Sequence, residues 1–326
     1  MTRITRRLMV SAAAVVALGL SACTGVAYTP TPTTSAPPST TATAAPTTTT
    51  PAAPPVACTN ATTSYDALAT LPNAAGATGR LGEIARRGYL IAGVSADTLL
   101  LGSRNPLTGQ LEGFDIDIVH ELARAIFGDP SKVQFTVITA SQRIPVLQNR
   151  TVDVVARNMT MTCARWQDIA FSTEYYHSGQ KVLVRKGSTA KSLNDLAGQR
   201  VCAPNGTSSM AKLKESTSVT AVGSDTHTGC LVLFQQGKVD AITGDDTVLA
   251  GLVAQDPYAE VPASDPITAE PYGLGFNKDD KALVQYANTV LAQMRADGRW
   301  TTLYDRWLAP SLGPAPAPPT PIYGRA

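Results

Sequence analysis

Cys23 is the residue whose chemistry can be read most directly. It follows Leu20-Ser21-Ala22, small residues that let a peptidase reach the backbone, and its thiol is a nucleophile to which diacylglycerol can be attached. Before it stand Arg3, Arg6 and Arg7 with no acid, then the apolar run Leu8–Leu20. That run is too short to span a bilayer and reads as the core of a signal peptide. Residues 1–22 are therefore expected to be removed, Cys23 to carry a lipid, and the rest to face outward from the cell membrane. Four cysteines remain, Cys58, Cys163, Cys202 and Cys230, an even number suited to an oxidising compartment. Three pairings are open. Cys202–Cys230, tying two neighbouring elements, and Cys58–Cys163, clipping the end of a tether to the body, are the favoured pair.

Other reactive constellations are thin. No C-x-x-C pair occurs and the histidines are His120, His177 and His227, so neither a metal site nor a cofactor is expected. Ser188–Lys191 and Ser209–Lys212 spell S-x-x-K, but without the S-D-N and K-T-G partners of acyl-transfer enzymes they are chance matches. H-E-x-x-H, G-x-S-x-G and the P-loop are absent. Of 27 basic residues three lie in the leader, leaving 24 against 25 acidic ones. With no basic stripe, nucleic acid is not an expected partner.

The elements that must position any site lie between two biased segments. Residues 23–57 are almost entirely Thr, Pro, Ala and Ser. They cannot bury enough apolar surface to offset ordering, so an extended tether is expected, with a reach of about 90 Å. Residues 58–80 form an N-terminal extension, and 309–326 a Pro-rich C-terminal tail. Between them, helical and strand periods alternate: a helix stopping at Gly88, a buried strand Tyr89–Val94, a helical stripe through Ile116, Val119, Leu122 and Ile126, and the strands Val133–Ile138 and Val152–Arg157. The same alternation returns from Gln199 to Val253, and a long amphipathic helix spans Lys281–Asp297. This is the grammar of α/β lobes built on mostly parallel sheets. Trp300, Tyr304 and Trp307 have helical spacing and are expected to pack.

An ordered set of motifs then carries a resemblance. Gly113-Phe114-Asp115-Ile116-Asp117, Val152-Asp153-Val154-Val155, Thr160-Met161-Thr162 with Arg165, and Phe171-Ser172 come first. Leu193–Gly198, Gly206-Thr207-Ser208-Ser209, Gly237–Ala241, Pro271-Tyr272-Gly273 and Asp297-Gly298-Arg299-Trp300 follow. Together the chain resembles the polar amino-acid binding proteins of bacterial ABC importers, most closely the glutamate/aspartate/glutamine-type lipoproteins. The resemblance implies a bilobal periplasmic-binding-protein-like type II fold, two α/β lobes joined by a two-segment hinge. Lobe one would be 81–184 and 272–308, and lobe two 185–271.

The resemblance also implies a ligand set. Arg165 would grip an α-carboxylate and Thr160 would hydrogen-bond it, while Asp245, with Asp246 beside it, would pair with the ammonium. Thr207 and Ser208 open a helix whose N–H groups suit an anion. Arg157, at a strand end, would favour a second carboxylate, and Asn158 could serve an amide. Ser95 stands where many members have an acid or arginine, and Arg143 is either a cation at the mouth or a brace for the hinge. The function implied is capture of a free amino acid, glutamate or aspartate ahead of glutamine or asparagine, and delivery by a monomer to an ABC importer permease. Two alternatives stand: a ligand-sensing subunit for a transmembrane signalling partner, and, more remotely, a dehydratase-like enzyme on the same fold.

Overall fold

The computed structural model describes residues 58–326. The expected signal peptide, Cys23 and the 23–57 tether therefore lie outside the described residues. In chain order the first helix is α1 (Gly79–Arg87), which stops at Gly88 in the left-handed conformation that glycine adopts without a Cβ clash. There follow β1 (Leu90–Val94), β2 (Asp97–Thr98), β3 (Gly102–Arg104), β4 (Leu111–Glu112), α2 (Phe114–Phe127), β5 (Val133–Val137), α3 (Arg143–Gln148), β6 (Val154–Ala156), α4 (Cys163–Asp168) and β7 (Ile169–Phe171). The middle of the chain gives β8 (Tyr176–Arg185), β9 (Arg200–Pro204), α5 (Ser208–Glu215), β10 (Thr220–Ser224), α6 (His227–Gln235), β11 (Ala241–Asp245), α7 (Asp246–Val253), β12 (Ala259–Glu260) and β13 (Ala269–Tyr272). The chain closes with β14 (Gly275–Asn277), α8 (Lys281–Ala296), α9 (Arg299–Trp307) and α10 (Ala309–Leu312).

Two main sheets make two lobes. The first has the order β5-β1-β6-β14-β7, with β1 parallel to β5 and β6, and β14 antiparallel to β6 and β7. The second runs β10-β9-β11-β8-β12, with β13 also paired to β8. Strands β2, β3 and β4 form a small antiparallel sheet of their own. Parallel strands are covered on both faces by crossover helices, so their burial is nearly continuous rather than alternating. β1 and β9 show this.

The lobe limit expected at residue 184 needs correction. All of β8 belongs to the second sheet, where Gln180–Leu183 pairs with β11 and Tyr176–Gly179 with β13. The chain therefore crosses along β8 and β13, whose paired ends Tyr176 and Tyr272 still pack into the core of the first lobe. The two crossing strands are hydrogen-bonded to each other, Tyr176 opposite Tyr272. No periodic signal marks that crossing, because a strand feeding a hinge and a strand within a lobe have the same pattern.

The lobe-one core gathers Phe114, Tyr175, Tyr176, Tyr272, Trp300 and Tyr304. Trp300 is fully buried, meets Phe114 edge-on, and donates its indole N–H to Tyr175 O at 2.7 Å. Packing is thus the role of Trp300 and Tyr304, whereas Trp307 is partly buried and donates to Asp117. Lobe two is split by its sheet into two apolar clusters, one under α5 and one under α6 and α7. Cys202 in β9 is bonded to Cys230 in α6, and Cys58 to Cys163 at the start of α4. The Pro-rich tail is ordered against the body: Ile322 pairs in parallel with Thr63. Among the described residues no helix is long and apolar enough to cross a membrane.

Candidate functional site

The lobes meet along a line of polar contacts. The turn between β6 and α4 supplies Thr160 and Arg165, and Thr162 caps α4 by accepting from Arg165 N at 3.2 Å. Arg165 Nη1 donates to Thr160 O at 2.6 Å, and its Nη2 reaches Gly206 O of the other lobe at 3.2 Å. Two of five guanidinium N–H groups are engaged in this way. Thr160 and Ser208, from opposite lobes, both donate to Glu270 Oε2 at 2.6 Å, while Thr268 donates to Oε1 at 2.6 Å. Asp245, at the end of β11, accepts from Tyr272 Oη at 2.7 Å and from Ser209 Oγ at 3.3 Å. Burial, with the Glu270 carboxylate adding to it, pushes Asp245 up to about 7. Burial lowers the pKa of Arg165, and the carboxylates of Glu270 and Asp245 oppose that. A basic fork, hydroxyls and an acid thus converge at this end.

A second polar group has a different character. Arg157, just past β6, is 1% exposed. Its Nε donates to Ile138 O at 2.8 Å, but the buried Nη1 has no protein partner. Asn158 takes a left-handed backbone (φ 36°) and donates its N–H to Asp115 Oδ2 at 2.8 Å, leaving Oδ1 buried without a partner. Asp115, from the first turn of α2, also accepts from Tyr175 Oη at 2.7 Å, and burial raises it to about 6. Across from them His227 opens α6 after the Thr226 cap, 3% exposed, with both ring nitrogens buried and partnerless. Burial pushes its pKa down to about 3, with Arg157 and Arg143 adding and Asp97 opposing, so the imidazole is neutral. The ring lies against β11 at Gly244, where an added Cβ would come within 3.1 Å of Nε2. Thr228 Oγ1 donates to Asp97 O at 2.9 Å, bringing α6 to the small sheet. Buried polar atoms are nearly always hydrogen-bonded in proteins, so the unpartnered atoms of Arg157, Asn158 and His227 are positions a ligand or water could satisfy.

Several expected site residues sit elsewhere or act otherwise. Arg143 is not a free cation at the mouth. Its guanidinium donates to the carbonyls of Ala140, Arg157, Asn158 and, across the cleft, Gly206, at 2.9–3.1 Å. It clamps the lobes together, because only a planar fork can serve so many carbonyls at once. Asp246 is corrected too: it accepts from Ser178 Oγ at 2.5 Å and lines a surface groove with Tyr176, Lys181 and Tyr304. One residue's advance from strand end to helix start turned it away from Asp245. The Thr207 hydroxyl donates to Pro204 O and caps Met210 N, so only its backbone faces the cleft region. Ser95 is buried and its hydroxyl braces Asp97 and Thr98. Glu270 and His227 were missed by sequence reasoning. Glu270 had a signal, an acid beside the Pro271-Tyr272-Gly273 motif, whereas nothing local marked a lone histidine at a helix start.

The profile of the bacterial extracellular solute-binding proteins, family 3, matches residues 90–310. The ABC transporter glutamine-binding protein GlnH of Bacillus subtilis is 36% identical over 221 residues, which cover 67% of this chain and 81% of that protein. The glutamate-binding protein GluB of Corynebacterium efficiens is 30% identical over 241 residues, 69% of this chain and 79% of that one. Among solved structures, the solute receptor for L-cysteine of Neisseria gonorrhoeae superposes with a TM-score of 0.68 at 26% identity, over 71% of this chain and 94% of that one.

Proposed function

The chain belongs to the bacterial extracellular solute-binding proteins, family 3, and from that premise we propose that it captures a free amino acid between its lobes and delivers it to an ABC importer. The observation that carries the ligand assignment is the set of buried, partnerless polar atoms on Arg157, Asn158 and His227 beside the Arg165 and Asp245 end. An α-carboxylate is served by the spare donors of Arg165 and by the backbone N–H groups that open α5 at Ser208, and an α-ammonium by Asp245. The side chain then extends towards Arg157 and His227. A cation and a neutral imidazole suit a carboxylate, so glutamate and aspartate rank first. Asn158 Oδ1 is an acceptor that an amide N–H can fill, which admits glutamine and asparagine.

Calorimetric titration with L-glutamate, L-aspartate, L-glutamine and L-asparagine tests this. Tight binding of at least one, with the acids ahead of the amides, is expected; no binding of any of the four would overturn it. The protein acts as a monomer held on the outer face of the cell membrane by lipid on Cys23. Cys23→Ala should move it from the membrane fraction to the medium, and its retention there would refute the anchor.

A further inference from the structure

Helix α4 carries Arg165 but has little means of holding itself in place. It is six residues long and none of them is buried, and helices this short are ordered by what packs on them. Besides Phe171 of β7, which Trp166 meets edge-on with ring centroids 5.4 Å apart, what packs on α4 comes from the 58–65 stretch and from the C-terminal tail. The first residue of α4, Cys163, is bonded to Cys58. Trp166 donates its indole N–H to Ala61 O at 2.7 Å and meets Tyr65 edge-on, ring centroids 6.1 Å apart. Over the same indole lies the guanidinium of Arg325, 3.6 Å from the ring centroid, a favourable cation–π placement. Arg325 is the penultimate residue of the chain. Its Nε donates to Thr63 O at 2.7 Å, its Nη2 to Asn60 O at 2.6 Å, and its backbone N–H to Ser64 O at 3.0 Å. Ser64 N in turn donates to Ile322 O at 2.9 Å.

We propose that the 58–65 stretch and the C-terminal tail form a clasp whose task is to position Arg165, with Arg325 and Trp166 as the positioning residues. This rests on Arg165 being the group that takes the ligand's α-carboxylate. The side-chain contacts of Arg325 are with residues 60–63 and Trp166, not with the buried core of the lobe. Trp166 adjoins Arg165 in sequence, and Cys163 lies two residues before it. The clasp therefore fixes the backbone on both sides of the arginine from outside, while Thr160 O and Gly206 O hold its guanidinium from inside. A tail that merely capped the lobe would have no reason to place a two-armed cation on the one aromatic ring of α4.

The test uses the full chain with Arg325→Ala, and Arg325→Lys as the milder variant, which keeps the charge but loses the fork. Affinity for L-glutamate and L-glutamine, hydrogen exchange of the α4 amides and ligand-free unfolding temperature are measured together. For Arg325→Ala we expect a dissociation constant raised about five-fold for both ligands, faster exchange at residues 163–168, and an unfolding temperature close to wild type. Arg325→Lys should fall between. Unchanged affinity despite faster α4 exchange would overturn the proposal, as would weakened affinity with α4 exchange unaltered. Loss of the unfolding transition in both variants would overturn it too, by making the clasp a brace for the whole lobe. Arg165→Lys separates the two layers. If it binds as wild type does, the assignment of Arg165 to the ligand fails; if it weakens binding while Arg325→Ala does not, only the clasp fails.

Discussion

The two ends of the cleft are built on opposite plans. At the Arg165 end, protein partners from the facing lobe already engage the polar groups: Gly206 O takes an arginine N–H, and Glu270 collects hydroxyls from both lobes. At the Arg157 end, buried groups stand without protein partners. On the proposed reading, the first end would couple ligand binding to closure and the second would read what has entered. An unsatisfied buried polar group costs about 1–3 kcal/mol, so a ligand that leaves Arg157 or His227 unpaired forfeits that amount, and discrimination belongs to the second end. Both ends nonetheless share a device. Arg165 at the first end and His227 at the second each ride on a helix stapled by a disulfide, α4 through Cys163 and α6 through Cys230.

Removing Arg165 should give the largest effect. Arg165→Ala leaves a buried ligand carboxylate unpaired, which costs about 3–5 kcal/mol, or more than about a hundredfold in dissociation constant. Calorimetry should show that loss for glutamate and glutamine alike; a loss confined to one of them would break the contrast between the ends. Arg157→Ala should weaken glutamate by about 2 kcal/mol, the scale of a charged hydrogen bond, and glutamine far less. Equal losses would remove Arg157 from the side-chain carboxylate.

Closure itself can be attacked at Gly206, which has φ +76° and whose added Cβ would fall 2.7 Å from Ser141 Cα in the other lobe. Gly206→Ala should cost about 1–3 kcal/mol of closed-state stability, weaken all ligands equally, and leave the liganded protein more open in small-angle scattering. A ligand-selective effect would show that the two ends are not separable.

The smallest effect expected is that of pH. Asp245, raised to about 7 by burial, must be charged to pair with an ammonium. Affinity should hold above pH 7 and fall at most about tenfold per unit below it, and Asp245→Asn should abolish the dependence. In the ligand-free protein the same group acts in the other direction. Its folded value lies above the ordinary carboxylate value, so its contribution to stability is present at acid pH and lost as pH rises from about 4 to about 7. His227, pushed down to about 3, opposes it by destabilising the fold as pH falls below its ordinary value of 6.5. Thermal unfolding of Asp245→Asn and His227→Gln across pH 4–8 would separate the two.

Much of this layout was legible in the sequence where the controlling interaction is local. Thr162 and Thr207 cap their helices because a hydroxyl one residue before a helix meets N–H groups two or three residues on. Gly88 stops α1 for an equally local reason. That four cysteines would pair followed from compartment, but of three possible pairings the favoured one was fixed only by the fold, which brings the Cα atoms to 5.9 and 5.6 Å. Arg143 was harder, since a cation's role depends on which carbonyls surround it, and one of its four comes from the other lobe. Asp246 was read one residue too far, because a strand ending in one carboxylate and a helix opening with the next send the two in different directions. The lobe limit near residue 184 failed for lack of any pattern that distinguishes a crossing strand from its neighbours.

The sequence by itself determined the α/β alternation, the caps and stops, an even set of four cysteines for an oxidising compartment and the family. These depend on spacing along the chain and on side chains acting within a few residues. Only the tertiary structure decided where the chain crosses between lobes, that Glu270 gathers hydroxyls from both of them, that the His227 imidazole is buried without a protein partner, and that Arg325 lies on Trp166. Each of these depends on residues far apart in the chain, and whether such a polar group is satisfied, clamped or left for a ligand is set by what burial brings against it.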